Sequence, residues 1–304
     1  MSRQGLTIHR LKHSFDPFSR NRLNQEGGAA SLVESNPVNT GEVLLELKDI
    51  HMSFGKVAAV AGVSLTIRRG EIYSVIGPNG AGKTVMMNCI NGLYRPQKGD
   101  IFFKGQRING LKPYQRASIG MSRTFQKVEV FGGMTVLDNI RLGRHIHQKT
   151  NILNGAIYAG KTAREEVEHR KFIEEEIIDL LEIEHIRSRT TGMLPYGLQK
   201  RVELGRALAL EPELLILDEP LAGLNLEEVE DMARFILDIN QEKRWKVTCL
   251  LVEHDMGVVM DLSDRVFVLN FGNMIMEGTP KEVQSSPEVI KAYLGEEDLY
   301  ATRK

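Results

Sequence analysis

The hydrophobic and polar positions fall into a regular order from Val43 onward, with short apolar segments separated by turn residues. Residues 43–47 and 63–67 alternate apolar and polar side chains, the period of a half-buried strand, and Arg68-Arg69-Gly70 follows the second as a turn. Residues 72–76 form a short apolar run that ends in a glycine-rich loop, which predicts a buried strand feeding a helix. A further short strand is expected over 100–104, closed by Gly105. Segments 214–217 and 247–252 are apolar strands that each end in polar residues, and 266–269 and 274–276 flank Asn270-Phe271-Gly272-Asn273 as a hairpin. Over 165–181 the period changes: Ile173, Ile177, Leu180 and Leu181 share one side and charges the other, as in an amphipathic helix. Strands alternating with helices predict an α/β fold with a mainly parallel sheet core. The early alternating strands add an antiparallel β layer, residues 130–210 a helical lobe, and residues 280–304 a helical tail.

Residues 1–43 read differently. The first 31 residues carry five Lys/Arg against two acids and run into Gly27-Gly28-Ala29-Ala30-Ser31 and Ser35-Asn36-Pro37, a linker-like composition. The expectation is a disordered extension. Ile8, Leu11, Phe15 and Phe18 at spacings of three and four also permit a short amphipathic helix that touches a partner or a membrane surface, and the acid-poor start permits a transit peptide.

The bulk chemistry narrows the picture only a little. A formal net charge of −1 over 304 residues gives no electrostatic reason to expect nucleic acid as a partner. Cys89 and Cys249 each lie inside an apolar run, which predicts buried thiols, not a disulfide or metal site. No stretch approaches 18 uninterrupted apolar residues, so association with a membrane has to come through other subunits.

The chemistry concentrates at two strand ends. Gly77-Pro78-Asn79-Gly80-Ala81-Gly82-Lys83-Thr84 matches G-x-x-x-x-G-K-[ST] at every fixed position, after a predicted strand and before a predicted helix. Glycines let the backbone curl so that successive N–H groups point at phosphate oxygens, and the helix start adds its positive dipole end. Lys83 reaches the β- and γ-phosphates of a nucleotide, the Thr84 hydroxyl suits Mg²⁺, and Val85 completes the nucleotide-binding set. The second end is Asp218-Glu219-Pro220, after the apolar 214–217 strand. In a doubly wound sheet, ligands sit at that edge. Asp218 suits the Mg²⁺ shell, and Glu219 suits a base or orienting group for an attacking water. His254 closes the next strand, within plausible reach of a γ-phosphate on the same edge. Gln126, in Arg123-Thr124-Phe125-Gln126, is left unassigned by these arguments.

These pieces, in this order, resemble the ATP-binding subunits of ABC transporters over residues 44–304. The resemblance implies that Phe54 stacks on adenine and that Gln126 is the Q-loop glutamine, contacting the metal and attacking-water region. It implies that His254 is the switch histidine and that Ala222-Gly223-Leu224-Asn225 is the D-loop. Leu194-Pro195-Tyr196-Gly197-Leu198-Gln199 stands in the place of the L-S-G-G-Q signature, with Pro195 where serine is usual and Asn225 in place of the D-loop aspartate. Gly197 remains, leading a helix with Leu198, Val202, Gly205 and Leu208 on one face, and its N–H and the helix dipole still suit a phosphate across a dimer interface. The L-x-Y-G signature, the 131–140 stretch and the Ala292-Tyr293-Leu294-Gly295 tail look like the ATPases of branched-chain amino acid importers.

That resemblance implies ATP and Mg²⁺ as ligands, a second ATP-binding subunit, membrane permease subunits, and a substrate-binding protein reached indirectly. It places the chain as a peripheral protein on the cytoplasmic face of the inner membrane. The neighbouring alternatives are a lipopolysaccharide-export ATPase, which shares a Tyr-Leu-Gly-Glu tail, and a soluble non-transport ABC ATPase. A regulator that binds ATP without turnover is disfavoured by Glu219.

Overall fold

The computed structural model describes residues 41–147 and 161–293. The N-terminal extension up to residue 40 and the tail from Leu294 lie outside the described residues.

Two sheets organise the chain. Strands β1 (Val43–Phe54), β2 (Val57–Arg68), β4 (Lys98–Phe103) and β5 (Gln106–Arg107) form an antiparallel sheet in the order β2-β1-β4-β5. The second sheet has six strands in the order β10-β9-β3-β8-β7-β6. Its members are β3 (Ile72–Ile76), β6 (Met121–Arg123), β7 (Leu214–Asp218), β8 (Thr248–Val252), β9 (Arg265–Asn270) and β10 (Asn273–Gly278). All of its pairings are parallel except the β9–β10 hairpin. Every residue of β3, β7 and β8 is buried, as expected for central parallel strands covered on both faces.

β1 and β2 are each twelve residues long, more than twice the predicted segments. The register shifts between Leu47 and Ile50 and again between Ile50 and His51. Asp49 (φ 52°) and Gly62 (φ 77°) take left-handed backbone at those shifts. Such bulges interrupt the alternation without ending the pairing, so the period-two signal stops early while the strand continues.

Helix α1 (Lys83–Asn91) follows β3 and buries Met86, Met87, Cys89 and Ile90 in the core between the two sheets. α2 (Pro113–Ser118) precedes β6, and α3 (Val136–Gly143) begins the helical region with Thr135 as its cap. The predicted 165–181 helix is divided: α4 (Lys161–Phe172) passes into a wider π turn over Ile173–Ile178. Adjacent residues on an α-helix point about 100° apart. The wider winding buries Ile177 and Ile178 together, with Ile183 N–H donating to the Ile178 carbonyl at 3.2 Å. α5 (Tyr196–Leu208) lays Val202, Gly205 and Leu208 against this region, where a Cβ on Gly205 would stand 3.1–3.2 Å from Leu181, Ile140 and Ile177. α6 (Leu226–Gln241) covers the other sheet face with Phe235, Ile236 and Ile239, and α7 (Met256–Leu262) and α8 (Pro280–Gln284) close the β9–β10 edge. Both cysteines are buried free thiols, and burial pushes them up to about 11 (Cys89) and about 12 (Cys249). No described helix is long and apolar enough to cross a membrane.

Candidate functional site

The order of the second sheet decides what meets at its edge. β8 lies between β3 and β7, with Val252 level with Val75 on one side and Asp218 on the other. The glycine-rich loop after β3, the carboxylates after β7 and His254 after β8 therefore emerge side by side.

The loop over 77–82 is shaped by close approach. Gly77 (φ 149°) and Gly82 (φ 107°) lie in the left-handed region, and a Cβ on either would overlap a backbone carbonyl oxygen, of Leu269 and Ala59 respectively. Gly80 (φ 78°) supplies the turn in open space, and Asn79 beside it is exposed. Ala81 is buried, and its carbonyl accepts from Gly272 of the β9–β10 turn at 2.8 Å. Gly82 is the N-cap of α1, so the first N–H groups of that helix open onto the loop. Lys83 is 8% exposed, and its ammonium folds over the loop to donate to the carbonyls of Gly77 and Pro78, the latter at 3.0 Å. Thr84 is exposed at the helix start, with Val85 half-buried behind it.

At the end of β7, Asp218 is almost fully buried and pairs with Arg123 at the end of β6: Nη2 donates to Oδ2 at 2.6 Å. The same guanidinium donates to Asn88 Oδ1 on α1 at 2.7 Å, which ties the acidic strand to the helix behind the loop. Arg123 was not among the residues singled out from sequence.

Glu219 and Gln126 meet directly, with Gln126 Nε2 donating to Glu219 Oε2 at 2.7 Å. Glu219 takes left-handed backbone (φ 48°), uncommon for a non-glycine residue, and its N–H donates to the Val252 carbonyl at 2.9 Å. His254 projects outward, its side chain 62% exposed, with Nδ1 3.6 Å from Glu253 Oε2. Glu253, also unforeseen, is fully buried and accepts from Leu221 N–H at 2.9 Å and from His254 N–H at 3.2 Å. Desolvation raises its pKa, only partly offset by those two bonds.

Two expected site residues stand apart from this cluster. Phe54, at the end of β1, is half-exposed and packs edge-on against Tyr94 at 5.5 Å between centroids. Gly197 lies in the first turn of α5, behind Pro195 as N-cap, and its nearest neighbour across the fold is the carboxylate of Glu228.

The oxygen donors fit a hard divalent cation. Thr84 offers a hydroxyl, Gln126 an amide oxygen and Asp218 the carboxylate oxygen that Arg123 leaves uncommitted. Among the described residues no group of three or more His, Cys, Asp or Glu side chains converges, so such an ion would complete its shell with phosphate and water oxygens, the habit of Mg²⁺. The arrangement is that of a nucleoside triphosphate site: an N–H-lined loop, a lysine at its mouth, and a carboxylate positioned by an amide beside it.

Comparison with known proteins gives the same picture. The family model described as ABC transporter matches residues 60–222, and that described as branched-chain amino acid ATP-binding cassette transporter matches residues 273–298. The chain is 40% identical over 253 residues to the high-affinity branched-chain amino acid transport ATP-binding protein BraF of Pseudomonas aeruginosa, covering 83% of this chain and 98% of that protein. To LivG of Escherichia coli, a protein of the same description, it is 41% identical over 255 residues, with the same coverage. Among solved structures, the ADP conformation of an ATP-binding cassette of an ABC transporter superposes with a TM-score of 0.72 at 31% identity, covering 84% of this chain and 99% of that one.

Proposed function

The chain belongs to the ABC transporter family, and from that membership we propose that it is the ATP-hydrolysing subunit of an importer of branched-chain or related amino acids. The observation that carries the reading is the Gln126–Glu219 contact at the same sheet edge as the glycine-rich loop. A carboxylate held by an amide next to a phosphate cradle is equipped to take a proton, not only to bind a nucleotide.

The loop from Gly77 to Gly82 wraps the phosphates of ATP, and the N-terminal turn of α1 faces them with its positive dipole end. Lys83 exchanges the carbonyls of Gly77 and Pro78 for the β- and γ-phosphates, and Phe54 stacks on the adenine. Thr84, Asp218 and Gln126 would hold Mg²⁺, which would supply positive charge to offset that of the phosphate oxygens. Glu219 accepts the proton of the attacking water as the water oxygen bonds to the γ-phosphorus. The bond from the γ-phosphorus to the bridging oxygen breaks, and its electron pair leaves with ADP. His254, exposed at the same edge, donates a hydrogen bond to the γ-phosphate.

Two such chains, or one and a similar subunit, close head to tail so that Gly197 at the start of α5 faces the partner's γ-phosphate. The helical region docks on permease subunits at the cytoplasmic face of the membrane, where the chain is peripheral, and the substrate-binding protein is engaged only through the permease. Closure of the sandwich is thereby converted into motion of the membrane domain. The names of the relatives support the cargo assignment, as does the match of the 273–298 segment to the amino-acid branch.

The test is co-purification from mild detergent followed by uptake of labelled leucine, isoleucine and valine into vesicles containing the recovered complex. ATP-dependent uptake that disappears with Glu219→Gln is expected. A complex whose ATPase responds to none of these amino acids, or that moves a lipid instead, would overturn the cargo assignment.

A further inference from the structure

Helix α5 carries two charged side chains one turn apart, Lys200 and Glu203, and each is only 4% exposed. Burying a charge is costly unless it finds partners, so what they hold is informative. Lys200 Nζ donates to the backbone carbonyls of Glu219 at 2.8 Å and Pro220 at 3.0 Å. Glu203 Oε1 accepts from the backbone N–H groups of Phe125 at 3.4 Å and Glu129 at 3.2 Å. One side chain therefore grips the segment that carries Glu219. The other grips both ends of the segment that carries Gln126. The two gripped residues meet at 2.7 Å.

Lys200, Glu203 and Leu204 of α5 line a small cavity together with Thr124, Phe125, Leu217 and Pro220. Beside the apolar packing of Val202 and Leu204 in the core, four hydrogen bonds from buried charged side chains connect α5 to the segments that carry the catalytic pair, and such charge-assisted bonds are stronger and more geometrically specific than neutral ones. Desolvation lowers the pKa of Lys200 and raises that of Glu203, the signature of charges taken out of water for their partners. Gly197, at the start of the same helix, is less than one turn from Lys200.

We propose that Lys200 and Glu203 are positioning residues that gear α5 to the Glu219–Gln126 pair of the same chain. A shift of α5, when its N-terminus engages the partner's nucleotide, is passed through the two grips to this chain's own catalytic pair, so each site becomes competent only when the other is filled. The inference rests on the sandwich reading above.

The test uses the full chain and steady-state ATPase measurements. Lys200→Met and Glu203→Leu remove the grips, whereas Lys200→Arg and Glu203→Gln keep a donor and an acceptor. The two disruptive variants are expected to lower kcat about 10- to 100-fold, the range for misplacement of a catalytic group. KM for ATP should stay within about twofold, because neither residue touches the phosphate loop. The Hill coefficient should fall from near ~2, the ceiling for two coupled sites, toward ~1. Glu203→Gln should remain close to wild type. In a Gln126→Ala background, Lys200→Met should add little further loss, the non-additivity of residues acting through one pair.

A Lys200→Met protein with unaltered kcat and cooperativity would overturn the proposal, as would losses fully additive with Gln126→Ala. Wild-type turnover with a Hill coefficient of ~1 would instead overturn the two-site reading on which the proposal stands.

Discussion

Replacing Gly197 probes the head-to-tail arrangement most directly, because the structure separates its consequences within the chain from those across the interface. A Cβ at position 197 would stand 2.5 Å from the carboxyl carbon of Glu228. That carboxylate is not free to swing away, since its Oε2 accepts from Asn225 N–H at 3.0 Å in the capping box of α6. Gly197→Ala therefore has to displace the box. The loss should be about 0.5–2 kcal/mol of stability, the usual worth of an N-cap. Gly197→Asp adds a negative charge beside Glu228 and, in the proposed closed dimer, beside the partner's γ-phosphate. Removing such an electrostatic contact set costs about 2–4 kcal/mol of transition-state stabilisation, or roughly 10²–10³ in turnover. The assay compares ATPase activity, ATP-driven dimerisation on gel filtration, and nucleotide affinity of the monomer. For Gly197→Asp, turnover and dimerisation should be lost while monomer affinity stays near wild type. Because Glu228→Ala deletes the same capping bond, adding it should cost Gly197→Ala little further stability, and it should not restore turnover to Gly197→Asp. Normal hydrolysis by Gly197→Asp would refute the sandwich mechanism.

Three further outcomes follow from the site and its support. Glu219→Gln preserves the acceptor oxygen that Gln126 contacts, so ATP binding should persist while turnover falls at least ~100-fold, about 2.7 kcal/mol, measurable by single-turnover kinetics. Lys83→Ala deletes a charge-assisted contact to the phosphates, typically ~1.5–3 kcal/mol, and should abolish tight ATP binding in a titration. Arg116 is fully buried and donates to the carbonyls of Cys89, Ile90, Ile108 and Leu111, tying the C-terminal end of α1 to the chain before α2. Burial pushes its guanidinium down to about 10. Cys89 and Ile108 carbonyls also accept from Gly92 and Leu111 N–H, so Arg116→Met should lower unfolding stability by about 2–4 kcal/mol chiefly through the lost donations to Ile90 and Leu111, seen as a reduced midpoint in urea.

Much of the fold was legible because the central strands obey a simple rule. β3, β7 and β8 are buried on both faces, so their sequences are continuous apolar runs whose ends mark where polar chemistry begins. The α/β architecture and the neighbourhood of loop, carboxylates and His254 follow from that order. β1 and β2 were underestimated because bulges at Asp49 and Gly62 break the two-residue period, and the π turn at Ile173–Ile178 was invisible to a pattern read with a 3.6-residue period. The supporting charges were missed for a different reason. Arg123, Glu203 and Glu253 are buried by tertiary partners far away in sequence, and nothing local distinguishes them from solvated charges. A usable hint existed at Glu203 alone, which sits between Val202 and Leu204 on a helix otherwise buried there.

The backbone of Glu219 explains why so many groups converge on it. A non-glycine residue at φ 48° costs on the order of 1–3 kcal/mol and persists only where its surroundings over-determine it. Here its N–H is tied to the Val252 carbonyl, its own carbonyl to Lys200 and its carboxylate to Gln126. Those three anchors come from three different parts of the fold: the neighbouring strand, the α5 helix and the loop after β6. Together they fix the residue from three directions, so the orientation of the carboxylate depends on all three parts of the fold. On the proposed reading of Glu219 as the proton acceptor, its activity would depend on the agreement of strand, helix and loop, as an ATPase coupled to the motion of other subunits requires. Glycine at 219 would relieve the strain and delete the carboxylate together. Glu219→Gln is the cleaner probe, because it leaves every anchor in position and removes only the basicity.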